Sequence, residues 1–184
     1  MPYKSQADSH QIVAFLRGIN VGGHAVMKMP DLKKAFEKLG FGNVRTLLAS
    51  GNVIFESKET DRKVLTNTIE AALRKAWKKD ISVILRSLDD LKKLESTEPF
   101  KGIKATPSTR LYVTFLSEKA SPRAITIPYN TPEICILHAT PTEVCSVVDL
   151  SKGKGTPELM ALLEREFGSN LTTRNWNTVV KALK

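Results

Sequence analysis

The chain has 184 residues, 41% hydrophobic and 26% charged, with 28 Lys and Arg against 19 Asp and Glu for a formal net charge of +9. That length suits one domain or two small ones, and the composition excludes global disorder. Two cysteines do not make a disulfide scaffold, and the longest strictly apolar runs, such as 12–16, are far too short to cross a bilayer.

In chain order, residues 1–11 read as a flexible polar N-terminus without the apolar core of a signal peptide, so the expected setting is the cytoplasm. Ile12 to Leu16 is an apolar run ending in Arg17-Gly18, the pattern of a buried strand. A Gly-rich loop, Asn20 to His24, follows. Met29-Pro30-Asp31 then opens a helix with Leu32, Ala35, Phe36 and Leu39 on one face, stopped by Gly40. Val44 to Ala49 and Asn52 to Glu56 read as strands of a hairpin around Ser50-Gly51. A helix from Asp61 to Lys79 turns Leu65, Ile69, Ala72, Leu73 and Ala76 to a core and its lysines to solvent or the last turn. Ile81 to Arg86 is a fourth strand. The order over 12–87 is β-α-β-β-α-β, the ferredoxin-like split unit.

Residues 88–108 read as a helix (Leu88, Leu91, Leu94) and a polar linker containing Pro99 and Pro107. A second half, 109–184, restarts with Leu111 to Leu116, where Val13, Phe15 and Leu16 recur one hundred residues on as Val113, Phe115 and Leu116. A Pro-rich stretch, strands at Ile134 to His138 and Val144 to Val148, and a helix from Pro157 to Phe167 follow. A terminal helix with Trp176, Val179, Val180 and Leu183 on one face closes the chain. The fold class expected is α+β with two ferredoxin-like halves, a diverged duplication. A turn at Ala139-Thr140-Pro141 would set Cys135 opposite Cys145, a cross-strand disulfide on oxidation or, as expected in the cytosol, two buried thiols.

Three stretches, Phe15 to Gly23 (Phe-Leu-Arg-Gly-Ile-Asn-Val-Gly-Gly), Ser50 to Phe55 and Thr172 to Thr178 (Thr-Thr-Arg-Asn-Trp-Asn-Thr), closely resemble the hallmarks of the bacterial family called domain of unknown function 1697. They sit at the beginning, middle and end, so the resemblance covers nearly the whole chain. It implies an α+β fold of two ferredoxin-like halves and brings no activity.

Antiparallel pairing of the first and third strands would set Arg17 to Asn20 beside Gly51-Asn52 at one edge. Arg17, Asn20, Gly22 and Gly23 then offer a cation, an amide and backbone N–H groups to an anion, with Ser50 and Asn52 across the edge. The competing reading is turn chemistry, the glycines allowing left-handed backbone and the asparagines bonding nearby main chain. Lys152, Lys154 and Thr156 precede a helix N-terminus, a second place for a phosphate, with Thr156 as the expected N-cap. Arg174 and Asn175, flanking a core Trp176, are ligand candidates from the last helix. His10, His24 and His138 are scattered, no metal-ligand spacing is present, and no catalytic residues or cofactor can be assigned.

The leading reading is a site for an anionic, phosphate-bearing small ligand, a nucleotide among them. The basic surface around Lys75, Lys78 and Lys79 gives nonspecific nucleic-acid binding as the alternative. A protein-interaction module with no small-molecule site is the third. No membrane partner is expected, and oligomeric state and enzymatic activity are not legible.

Overall fold

β1 (His10–Leu16) lies inside a sheet because residues 12–16 are apolar on both faces, and all five are buried. The structure is a computed structural model that describes residues 9–20, 26–117, 129–153 and 155–184. After β1 come α1 (Met29–Lys38), β2 (Gly42–Leu47), β3 (Asn52–Ser57), α2 (Arg62–Trp77), β4 (Val83–Ser87) and α3 (Leu88–Ser96). The strands form one antiparallel sheet in the order β2-β3-β1-β4. The chain continues with β5 (Thr109–Leu116), β6 (Tyr129–Asn130), β7 (Ile134–Ala139), β8 (Glu143–Asp149), α4 (Thr156–Phe167), β9 (Leu171–Asn175) and α5 (Trp176–Ala182). These strands make a second antiparallel sheet, β6-β7-β8-β5-β9. The described residues are thus mixed α+β, with two antiparallel sheets and five helices, in two compact units, Met1–Asp90 and Leu91–Lys184.

In the first unit Leu32 and Phe36 of α1 and Leu65, Ile69 and Leu73 of α2 pack onto Ala14, Leu16, Val53, Phe55 and Leu85. Burying each large side chain contributes about 1.5–3 kcal/mol relative to leaving it in water. Asp61 starts α2 by accepting the N–H groups of Lys63 and Val64 at 2.8 and 3.2 Å. The expected stripe ends early: Ala76 is exposed and Trp77 packs on the core instead. Lys78, left-handed at φ 56°, stops the helix. In the second unit Leu159, Leu162, Leu163 and Phe167 of α4 cover Leu116, Ile136, Val144, Val148 and Leu171.

Four expectations change. The strand expected to reach Ala49 stops at Leu47, because Leu48 takes φ 58° and opens the turn. Thr156 is not the N-cap of α4. Gly155 holds that place at φ 64°, and a Cβ on it would fall 2.8 Å from Val148 Cγ1. Its N–H donates to the Glu158 carboxylate at 3.2 Å. Residues 171–175 are a strand, since Thr172 and Thr173 find an open edge on β5, and the last helix is correspondingly short. Finally, the register sets Cys135 opposite Val147 and His138 opposite Cys145, with a shift between Ile136 and His138. The two thiols are therefore not a direct cross-strand pair; both are free, and burial pushes Cys145 up to about 12.

Candidate functional site

The end of β1 is held from two sides. Phe15 pairs with Asn52, Leu16 N–H donates to Gly51 O at 2.8 Å, and Arg17 N–H donates to Ser82 O at 2.9 Å. Gly51 is left-handed at φ 76°, and a Cβ there would fall 2.6 Å from Cδ1 of the buried Ile19. Only glycine lets these two segments come so close. Gly18 is also left-handed, at φ 65°, but a Cβ on it would meet nothing within 4 Å among the described residues.

Asn20 joins the segments. At φ 54° it takes the left-handed conformation that asparagine tolerates better than most residues. Its Oδ1 accepts Met27 N–H at 2.7 Å, while Nδ2 donates to Met27 O at 3.0 Å and to Ala49 O at 2.8 Å. One side chain therefore closes the base of the loop between residues 20 and 27 and fastens it to the β2–β3 turn. The buried Asn52 does similar work inside that turn, donating to Leu47 O at 2.8 Å and to Ser50 Oγ at 3.0 Å. Arg17 is half-buried beside Gly18. Gly22 and Gly23 lie outside the described residues.

The remaining candidates belong to the second unit. Lys152 is exposed, in the turn where Asp149 lies. Hydrogen bonds from Ser151, and secondarily the Lys152 charge, hold the Asp149 carboxyl below the usual carboxylate range. Lys154 lies outside the described residues. The Thr156 hydroxyl meets the Tyr112 hydroxyl at 3.1 Å. Arg174, on β9 opposite Val113, is 8% exposed, and burial pushes its pKa down to about 10. Its Nη1 donates to Thr172 Oγ1 at 2.8 Å and to Thr173 O at 2.9 Å. Asn175 caps α5, accepting Asn177 N–H at 3.0 Å. Trp176 is half-buried, its ring centroid 5.3 Å from that of Phe100.

Two features escaped the sequence reading. Arg86 lies on β4 opposite Val13, is 5% exposed, and donates from Nη1 to Leu85 O at 2.8 Å. Arg174 stands likewise opposite Val113 and bonds the carbonyl of its preceding residue. The repeat of Val13 as Val113 was the signal that could have paired these arginines. The second is the cluster around Glu56 at the far end of the sheet, which no motif marks. Among the described residues no group of three or more His, Cys, Asp or Glu could hold a metal ion, and no helix is long and apolar enough to cross a membrane.

A family model described as "Protein of unknown function (DUF1697)" matches residues 10–132. No protein of curated function matches the chain. Among solved structures, the conserved bacterial protein SP0830 from Streptococcus pneumoniae is similar, with a TM-score of 0.72 and 21% sequence identity. The match covers 96% of this chain and 100% of that one. At that identity the likeness concerns the fold.

Proposed function

The chain belongs to the DUF1697 family of proteins of unknown function, and we propose from its own geometry that it binds an anionic, phosphate-bearing small molecule at the end of β1. The observation that carries this reading is the Asn20 clamp, which gathers the Arg17-Gly18 and Ser50-Gly51 segments and the base of the Gly-rich loop at one place. In this reading Arg17 supplies the charge and the backbone N–H groups of Gly18, Gly22 and Gly23 approach the anion. Asn20, Asn52 and Ser50 are positioning residues, because their side chains are engaged in holding the loops. Lys152, Lys154, Thr156, Arg174 and Asn175 belong to the other unit by sequence, and the reading does not rest on them.

The same proposal takes each unit as a ferredoxin-like half of a diverged duplication. Strands β7, β8, β5 and β9 follow the order of β2, β3, β1 and β4, and the matched Arg86 and Arg174 support it. Two free thiols suit the reducing cytoplasm. The test is a thermal-shift screen of nucleotides, sugar phosphates and inorganic anions at moderate and high salt. A ligand specific to the native state at about 100 times its Kd stabilises it by about 2.7 kcal/mol. The reading requires a salt-resistant rise in Tm from a phosphate compound, abolished in Arg17→Ala; unchanged affinity in that variant overturns it.

A second reading, nonspecific nucleic-acid binding, draws on the exposed Arg74, Lys75, Lys78 and Lys79 at the end of α2. Arg74 is already ion-paired with Asp80, which leaves the three lysines. Charge reversal there should weaken oligonucleotide binding and flatten its salt dependence, while Arg17→Ala leaves it unchanged.

A further inference from the structure

The first sheet carries a groove of about 600 Å³ at the opposite end of β1 from Arg17, between α1 and the β2–β3 edge. Its origin is a break in the β2–β3 ladder. Gly42 pairs with Glu56 and Arg45 with Ile54, so Asn43 and Val44 share the place opposite Phe55, with Asn43 left-handed at φ 45°. Such a bulge bends the strand and re-aims a side chain, here bringing Asn43 to hydrogen-bond the Glu56 carboxylate. Gln11 Nε2 donates to Glu56 Oε1 at 3.3 Å, and Ser9 Oγ to Oε2 at 3.4 Å. With the bond from Asn43 first among them, these donors hold Glu56 below the usual carboxylate range.

The apolar part of the groove is aromatic. Phe41 is half-buried, its ring centroid 4.4 Å from Phe55 and 6.0 Å from Phe36, and those two are themselves 5.4 Å apart. Phe36 and Phe55 are fully buried, so Phe41 is a firmly backed platform. Lys33 and Arg45 also line the groove, and Glu37 is paired with Lys33 at 3.7 Å. On a chain of net charge +9 the groove lining is formally neutral, two cations balancing two carboxylates. Its volume falls in the range of small-molecule sites, about 300–1,000 Å³.

We propose that this groove binds a compact zwitterion with an apolar side group, the chemistry of an apolar α-amino acid. The ammonium meets Glu56, the carboxylate meets the Lys33 and Arg45 side of the groove, and the side group lies on Phe41. The groove carries no excess of positive charge and lies at the other end of β1, so this site is separate from the one at Arg17.

The test is an NMR titration of the full chain with L-phenylalanine at millimolar concentration. Phenethylamine, which lacks the carboxylate, and 3-phenylpropanoate, which lacks the ammonium, are the controls. Saturable shifts at 41–45 and 54–56 are expected, with L-phenylalanine binding about tenfold or more tightly than either analogue, the scale of one charge-assisted contact. Glu56→Gln should cost L-phenylalanine about the same factor and leave 3-phenylpropanoate unaffected, with an unchanged Tm showing that the fold is intact. Phe41→Leu, which keeps an apolar side chain, should weaken all three compounds. Arg17→Ala should leave the titration unaltered, so that failure of the phosphate site and failure of this one are told apart. Absence of saturable shifts in the wild type, equal affinity for the three compounds, or full affinity in a folded Glu56→Gln overturns the proposal.

Discussion

Replacing Asn20 by alanine removes three hydrogen bonds at once. The Met27 N–H lies in a residue only 4% exposed, so losing its acceptor leaves a buried donor unsatisfied, at about 1–3 kcal/mol. The carbonyls of Met27 and Ala49 lose a donor each, for about 0.5–1 kcal/mol apiece where water replaces it in part. Alanine held at the φ of 54° seen for Asn20 adds about 1 kcal/mol. The expected destabilisation is about 3–6 kcal/mol. Two further variants divide it. Asn20→Gly relieves the backbone cost and should be about 1 kcal/mol milder than alanine. Asn20→Asp keeps an acceptor for Met27 but turns its second oxygen on two carbonyls, so it should be poor at neutral pH and recover partly once the carboxyl is protonated and can donate. Denaturant unfolding of the full chain, followed together with hydrogen exchange at the Met27 amide, measures both the total and the local term. A loss in Asn20→Ala below about 1 kcal/mol, with Met27 protection intact, would refute the clamp.

Three other outcomes rest on single side chains or backbone positions. Gly51→Ala should cost about 2–4 kcal/mol, combining left-handed backbone with overpacking against Ile19, whereas Gly18→Ala, equally left-handed but with no neighbour within 4 Å among the described residues, should cost only about 1 kcal/mol; parallel urea titrations compare them. Ser146→Ala should raise stability by about 1 kcal/mol, because Ser146 Oγ is fully buried with no hydrogen-bond partner among the described residues, and a lowered midpoint would contradict this. For Asp90, desolvation is the largest single influence and raises the pKa. Together the Ser87 hydrogen bonds and the Arg62 and Arg86 charges outweigh it, so the pKa lies below 3.8. A lowered folded-state pKa gives stability that is fully present above the unfolded value and lost as pH falls through the folded one. Asp90→Asn should therefore flatten the fall in stability on acidification below about pH 4, and an unchanged acid limb would count against the bonding at Ser87.

The sequence by itself determined the elements whose burial is local. The stripe of Leu65, Ile69 and Leu73 and the two-sided apolar run at 12–16 identify a helix and an inner strand wherever they occur, because periodicity and face are properties of consecutive residues. The meeting of Arg17 to Asn20 with Gly51-Asn52 also followed from strand order alone, as antiparallel pairing carries one segment to the other. Tertiary structure decided what depends on partners distant in the chain. Residues 171–175 are a strand only because β5 has a free edge beside them, and a register shift in β7 separated the two cysteines. Asparagine can serve a ligand or the main chain equally well, so nothing in the sequence could foretell that the Asn20 amide would be engaged by Met27 and Ala49. The Glu56 groove was illegible for the same reason: its donors come from residues 9, 11 and 43, and only the fold, through one bulge in β2, brings them to a single carboxylate.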